Sequence, residues 1–306
     1  MAVEPEGVVA MERKKAAEGW LDGWLRRQGW MEPLSEFVQK IVGGFYGALG
    51  GPGRTLKSLM HGTWPLGHPL HPALTDVPLG AWFAAVVLGF VAYAWSAIPP
   101  AVEPAVLAVG VLVGLGAAAA GYTDFHETYG LERRAGLLHG LTMTLVLLVM
   151  IASLAVTLSS PAGHGLGLWI ATIGLLIALF GAYVGGHLTF RFGTMVNRNA
   201  FTEFPSDWLD AGTAADYPEG ELKLAHAGSV PVLVVRRGGV LNAIANTCSH
   251  AGGPLNEGSL NGNVVTCPWH GSRFCVLDGA VKGGPATFSQ PVFLVREESG
   301  RVRLKA

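Results

Sequence analysis

The chain has 306 residues, room for two domains; half of them are hydrophobic and only 14% are charged. A mean hydropathy of +0.38 is too apolar for an ordinary soluble protein. The formal net charge of −1 provides no electrostatic footprint for nucleic acid, and three cysteines do not make a disulfide framework.

Residues 1–56 read as an amphipathic N-terminal segment. No cleavable signal peptide is expected, because residues 1–35 are polar and Trp-rich without a continuous apolar stretch. The pair Arg26-Arg27 lacks the apolar run that a twin-arginine leader needs. Trp20, Leu21, Trp24 and Leu25 recur at helical spacing, and Leu34, Phe37, Val38, Ile41 and Val42 do the same after Pro33. Two placements suit such helices: flat in the lipid headgroup region, with tryptophans beside Arg26 and Arg27, or packed on the soluble domain.

Residues 57–200 read as a membrane domain. Apolar runs cover Val77–Ile98, Ala105–Thr123, Ala135–Ser160 and Leu166–Phe190. Each is long enough to span a bilayer; buried helices of a large soluble core are the alternative. Gly110, Gly114, Gly116 and alanines 117–120 crowd the second run and allow close helix approach in lipid. Lys and Arg alternate across the links: Arg54 and Lys57 before the first run, Arg133 and Arg134 between the second and third, Arg191 and Arg198 after the fourth. The other two links, Pro99–Pro104 and Pro161–Gly165, carry none. The bias puts both termini in the cytoplasm and the chain in the cell inner membrane as a multi-pass protein.

Residues 201–306 change character. Val230–Arg236 and Val240–Ala245 read as strands joined at Arg237-Gly238-Gly239. Asn263–Thr266 is another strand, and Val292–Arg296 and Arg301–Lys305 form a hairpin closed by Ser299-Gly300. The expected architecture is therefore multi-domain, a four-helix transmembrane bundle followed by an all-β domain.

Two boxes carry the chemistry: Cys248-Ser249-His250-Ala251-Gly252-Gly253 and Cys267-Pro268-Trp269-His270-Gly271-Ser272. Each offers one thiol and one imidazole, as C-x-H and C-x-x-H. A mixed-ligand [2Fe–2S] centre needs two thiolates on one iron and two imidazoles on the other. Zinc is the alternative, but its knuckles pair C-x₂₋₄-C with H-x₃₋₅-H, which C-x-H matches poorly. Glycines 252, 253 and 271 let backbone amides turn inward, and Gly283-Gly284-Pro285 supplies a third loop.

From about Glu221 to Ala306 the chain resembles a Rieske ferredoxin domain, in both boxes, in Gly271-Ser272 and in the Gly-Gly-Pro loop. The resemblance implies a small antiparallel sandwich with a cluster-binding subdomain. It implies cluster ligation by Cys248, His250, Cys267 and His270, with Gly252, Trp269, Gly271, Ser272, Phe274 and Pro285 around them. Rieske proteins of quinol-oxidising bc complexes carry an extra cysteine in each box; here those places hold Gly253 and Trp269. Cys275 has no partner and reads as a buried structural thiol. Ser272 keeps the hydroxyl that bonds a bridging sulfide, whereas the tyrosine two places on is Phe274. Fewer bonds to sulfur imply an intermediate reduction potential, roughly −150 to +100 mV.

A second set of polar residues edges the apolar runs: His68, His71 and Asp76, Asp124 and His126, His139, and His187. The topology puts them at one depth, on the side of the cluster domain. They form a candidate membrane cofactor site for haem b or a quinone, against the alternative of a structural hydrogen-bond network. His61, His164 and His226 read as surface residues. From about Lys57 to Phe190 the chain resembles small bacterial four-helix membrane domains of uncharacterised function, through Gly67-His68-Pro69-Leu70-His71-Pro72, Gly121-Tyr122-Thr123-Asp124 and His139.

The leading functional reading is a membrane-anchored electron carrier exchanging single electrons with redox partner proteins, with the lipid bilayer as its other partner and no nucleic acid. The alternatives are a haem- or quinone-linked membrane oxidoreductase, the electron-donor component of a Rieske oxygenase system, and a redox sensor. A complete oxygenase is disfavoured, because its mononuclear iron domain follows the Rieske module.

Overall fold

The computed structural model describes residues 19–306 apart from 64, 96–98, 100 and 160–162. Ile98 and Ser160, where two of the apolar runs end, lie outside the described residues, as do Pro100 and Pro161 of the links and the first 18 positions.

Among the described residues, three short helices precede the long ones: α1 (Trp20–Arg27), α2 (Met31–Ala48) and α3 (Gly50–His61). Four long ones follow: α4 (Leu70–Ala94), α5 (Val102–Phe125), α6 (Gly130–Ser159) and α7 (Gly163–His187), the last continued by a π-helical turn over Leu188–Phe192. These 4 are long and apolar enough to cross a membrane. Their shared core holds Trp82, Leu107, Val146, Met150, Ala171 and Ala178, while Leu112, Leu148 and Leu176 face outward and exposed. That inside-out surface is what lipid solvates. Gly110 is required by the packing: a Cβ there would stand 2.5 Å from the Trp82 Nε1.

The helices begin earlier than the charge-free runs. α6 carries Glu132, Arg133 and Arg134 in its opening turns, and α4 starts at Leu70, directly after Pro69. Charge marks where lipid ends, whereas a helix ends where its backbone bonds do. His71 therefore lies inside the first turn of α4 rather than in a preceding loop.

The N-terminal helices correct one expectation. α1 and α2 pack on the bundle rather than on the β domain, with Leu21, Leu25 and Met31 against Phe125, Ala135, Leu137 and Val184, while the end of α3, at His61, comes up against Gly284 of the β domain. The supposed single stripe on α2 divides. Leu34 and Val38 turn toward that cluster, while Phe37, Ile41 and Phe45 are exposed at successive i+4 positions.

Ten strands build the rest: β1 (Leu209–Thr213), β2 (Lys223–Ala227), β3 (Val230–Arg237), β4 (Val240–Ala245), β5 (Ser259–Asn261), β6 (Val264–Thr266), β7 (Arg273–Cys275), β8 (Val281–Gly283), β9 (Val292–Glu298) and β10 (Arg301–Lys305). A 6-stranded sheet runs β1-β10-β9-β4-β3-β2 and a 4-stranded one β5-β6-β7-β8; every ladder is antiparallel. The β3–β4 turn has Gly238 and Gly239 at φ +60 and +79, and the β9–β10 turn has Ser299 and Gly300 at +50 and +74. Two successive left-handed residues make the turn whose twist matches a tight hairpin. The first box follows β4 and the second joins β6 to β7.

Candidate metal centre

Each box is a closed turn around its cysteine. The Cys248 N–H donates to the Gly253 carbonyl and the Gly252 N–H to the Cys248 carbonyl, at 2.9 and 2.8 Å. In the second box the Cys267 N–H donates to Ser272 and the Gly271 N–H to Cys267, at 2.8 and 3.1 Å. Gly252 and Gly271 sit at φ +86 and +73, which a side chain would oppose. The turns aim amides at sulfur: His250 and Ala251 N–H at Cys248, Trp269 and His270 N–H at Cys267. Such donors stabilise a thiolate.

The two thiols face each other. The Cys248 thiol bonds to Cys267 and, with the Trp269 and His270 amides, holds Cys267 down at about 6 against its burial. Sharing with Cys267, and burial, push Cys248 up. The two imidazoles face each other as well, ring centres 5.1 Å apart and planes at 87°. Burial, then the neighbouring His270 and His61, lower His250 to about 3; burial lowers His270 too. Both rings are thus neutral at pH 7, the form that ligates a metal. The Nδ1 atoms of His250 and His270 are buried and have no hydrogen-bond partner. Buried polar atoms are rarely left so, unless a ligand takes them up.

The surroundings are built for this geometry. Ser272 is fully buried and its Oγ accepts the Ala286 N–H at 3.0 Å, tying the second box to the loop that contains Pro285. Phe274 is fully buried in one apolar cluster with Cys248 and Cys267. Gly253 and Trp269 touch: a Cβ on Gly253 would stand 2.9 Å from both Cys267 Sγ and Trp269 Cγ. The indole therefore covers the glycine. Cys275 is buried and forms no disulfide; its side chain bonds the Asp278 carboxylate.

The centre rests against the helical half. Tyr129, in the α5–α6 connection, stacks on His270 with ring centres 5.8 Å apart and planes at 20°. The Thr63 hydroxyl donates to the Ala286 carbonyl at 2.9 Å. The Arg198 N–H donates to the Ser249 carbonyl and the Asn199 amide to the Thr247 carbonyl, at 3.1 and 3.0 Å.

The membrane residues divide. His71 and His139 meet, ring centres 5.9 Å apart, and with Asp124 they line a cavity of about 330 Å³ within the bundle. The other four do not join them. His68 and Asp76 are exposed. His126 bonds Glu127 at 3.1 Å. His187 bonds Asp22 of α1 at 2.7 Å, because α1 covers the end of α7 that the topology leaves open. Asp124 orients neither cavity histidine; its carboxylate bonds His61 Nδ1 at 2.7 Å. His61 is accordingly buried, 1% exposed, and not a surface residue. No local signal pairs positions so far apart, and Tyr129 in its polar connection gives none either.

A β domain with paired thiols and paired imidazoles on two turns defines a Rieske-type iron–sulfur protein, here on a multi-pass membrane bundle. The Rieske [2Fe-2S] domain family matches residues 207–298, and a family described as "Predicted membrane protein (DUF2231)" matches residues 67–198. The chain is 35% identical over 96 residues to ferredoxin CarAc of Metapseudomonas resinovorans, covering 31% of this chain and 90% of that one. It is 38% identical over 90 residues to the ferredoxin component of biphenyl 2,3-dioxygenase of Rhodococcus jostii (strain RHA1), covering 29% and 84%. A solved complex of reduced oxygenase and oxidised ferredoxin in carbazole 1,9a-dioxygenase contains a chain that is 34% identical, covering 33% of this chain and 94% of that one, with a TM-score of 0.31. Through its C-terminal third the chain belongs to the Rieske [2Fe–2S] family. It is a membrane-anchored Rieske electron-transfer protein.

Proposed function

We propose that Cys248 and Cys267 hold one iron of the cluster through their thiolates, and His250 and His270 hold the other through Nδ1. The observation that carries this is the pair of buried, unpartnered Nδ1 atoms beside a facing pair of thiols. Among the described residues no three His, Cys, Asp or Glu side chains converge on one point. Two pairs suit two irons; a single zinc would gather all four. When bound, the cluster supplies one-electron chemistry. The chain supplies the rest: amides that stabilise sulfur charge, neutral imidazoles, and burial that excludes water.

The division into 1–56, 57–200 and 201–306 is part of this reading, with Arg198 and Asn199 joining the cluster loops just before the third part. The Lys and Arg bias supports an inner-membrane placement with the Rieske domain in the cytoplasm. Redox proteins are the partners, in keeping with relatives named as ferredoxin components of oxygenase systems.

The purified protein should carry about two irons and two acid-labile sulfides per chain. One zinc without sulfide overturns the assignment. His250→Cys or His270→Cys should lower the reduction potential, since a thiolate adds negative charge to the reducible iron. A periplasmic reporter fused after Ala306 should stay inactive; strong activity reverses the orientation.

A further inference from the structure

The cavity between α4, α5, α6 and α7 holds two imidazoles in one chemical state. His71 Nδ1 lies 2.8 Å from the Ala117 carbonyl oxygen, and His139 Nδ1 lies 2.9 Å from the Gly181 carbonyl oxygen. A carbonyl only accepts, so each Nδ1 carries the proton and each Nε2 keeps its lone pair. Among the described residues no hydrogen bond reaches either Nε2. The rings are held from behind: a Cβ on Gly121 would stand 2.8 Å from the His71 ring, and one on Gly185 3.0 Å from the His139 ring. Around them most of the wall is apolar, with Leu79, Trp82, Met143 and Leu147, interrupted by Asp124 and by the hydroxyls of Tyr122 and Thr144.

Two fixed lone pairs in a largely apolar chamber of about 330 Å³ select among occupants. A quinone presents carbonyl acceptors and needs donors, which these nitrogens are not, and the Tyr122 and Thr144 hydroxyls in the wall are bonded to each other at 2.8 Å. A bare metal ion needs about four ligands; the third such residue in the wall, Asp124, is committed to His61 at 2.7 Å, and among the described residues no group of three could hold an ion. A haem brings four equatorial nitrogens of its own and lacks only axial ligands. Two imidazoles bound to one metal at about 2 Å each hold their ring centres roughly 6 Å apart. The observed separation is 5.9 Å, with planes at 78°. Nδ1–H bonded to a backbone carbonyl is also how a protein orients an axial imidazole and raises its basicity.

We propose that the helical half binds one b-type haem, with His71 and His139 as its axial ligands. The site also lies next to the cluster. A second cavity, of about 30 Å³, is lined by His250 and His270 and shares Asp124, Thr128, Thr194 and Met195 with the wall of the first. Once a redox protein has reduced the cluster, one electron passes to ferric haem. The cluster returns to its all-ferric state, the haem becomes ferrous, and no bond or proton changes hands. The haem site stands on the membrane half alone; its link to the cluster rests on the ligand assignment above.

The test uses the full chain purified in detergent from cells supplied with a haem precursor, and hemin added to the purified protein. The expected result is a six-coordinate, low-spin Soret and α-band spectrum with about one haem per chain. His71→Ala and His139→Ala should each abolish that spectrum while the cluster's electron paramagnetic resonance signal persists, which shows that the chain is folded. His71→Met and His139→Met, which keep bulk and offer a thioether, should shift the bands instead. His68→Ala and His187→Ala should leave them unchanged. A wild-type protein with an intact cluster signal that takes up no haem overturns the proposal, and so does a quinone-dependent reduction without any Soret band. Soret absorbance that survives both alanine substitutions does the same. A haem spectrum in protein lacking iron–sulfur would instead overturn the cluster assignment and leave this site standing.

Discussion

Phe274 is wholly buried in the cluster of side chains that includes Cys248 and Cys267. Its ring packs but cannot donate, so one hydrogen bond that a tyrosine would give to cluster sulfur is missing. A bond made more strongly to the reduced, more negative cluster raises the potential. Phe274→Tyr should therefore raise it by about 40 mV, the one-electron equivalent of a bond worth ~1 kcal/mol; potentiometric titration of the paramagnetic signal reads it. No rise with the fold intact would mean that the phenol does not reach sulfur. Gly253 poses the opposite problem, too little room. A methyl there enters the space of Cys267 Sγ and Trp269, so Gly253→Ala should cost about 1–3 kcal/mol through overpacking. Trp269→Ala in the same chain removes one of the two obstacles and should recover part of the loss in a thermal melt. If the double variant is no more stable than Gly253→Ala, the indole is not what the glycine accommodates.

At the scale of elements, α1 is fastened to α7 by one carboxylate. Asp22 is buried and receives His187 Nε2 at 2.7 Å and Arg191 Nε at 2.8 Å. Burial pushes its carboxyl up, but these two partners prevail and hold it below 3.8. A depressed carboxylate stabilises the fold above its unfolded value, and the contribution disappears as pH falls through the folded one. Protease cleavage before α2 should thus rise in acid, in a window beginning near pH 3.8 and extending downward. Asp22→Asn should show high cleavage that hardly varies across that window; a variant as pH-dependent as wild type would exclude Asp22 as the fastening. This contact also shows where the sequence stops being legible. Long apolar runs announce α4 to α7, because lipid demands length and lack of charge over contiguous residues. Glycine turns announce the hairpins β3–β4 and β9–β10, and the two boxes announce the metal chemistry, each within a few positions. The short strands β5, β7 and β8 carry only 3 residues each, too few for alternation to register. Pairings such as Asp22 with His187, or His61 with Asp124, join residues far apart in the chain. Depth in the membrane, read from topology, brought His187 near His71 and His139 on paper; packing of α1 took it elsewhere.

The whole molecule places its metal-binding loops against its membrane half. Tyr129 covers His270, Thr63 holds Ala286, and Arg198 and Asn199 hold the first box. All these contacts lie at the end of the bundle that also bears Lys57, Arg133 and Arg134. Lys57 bonds Glu127, the neighbour of His126. Burial raises the Glu127 carboxyl, but His126 and Lys57 bring it down to about 2, so the ion pair persists at any physiological pH. A Rieske domain tied down from several elements keeps one orientation relative to the bilayer, whereas a tethered one would tumble. Oriented membrane multilayers distinguish the two: in wild type the cluster's paramagnetic signal should change shape as the film is rotated in the field. Gly284 is the place to break the contact, since a methyl there enters the space of the Thr63 hydroxyl and lies 3.6 Å from His61. Gly284→Ala should weaken the angular dependence while leaving the iron content unchanged, and Thr63→Ala in the same chain should restore it by making room. An isotropic signal from the wild-type film would mean that the docked arrangement does not persist in the membrane. The electron exchange proposed between cluster and haem would then depend on domain motion rather than on the shared wall of Asp124, Thr128, Thr194 and Met195.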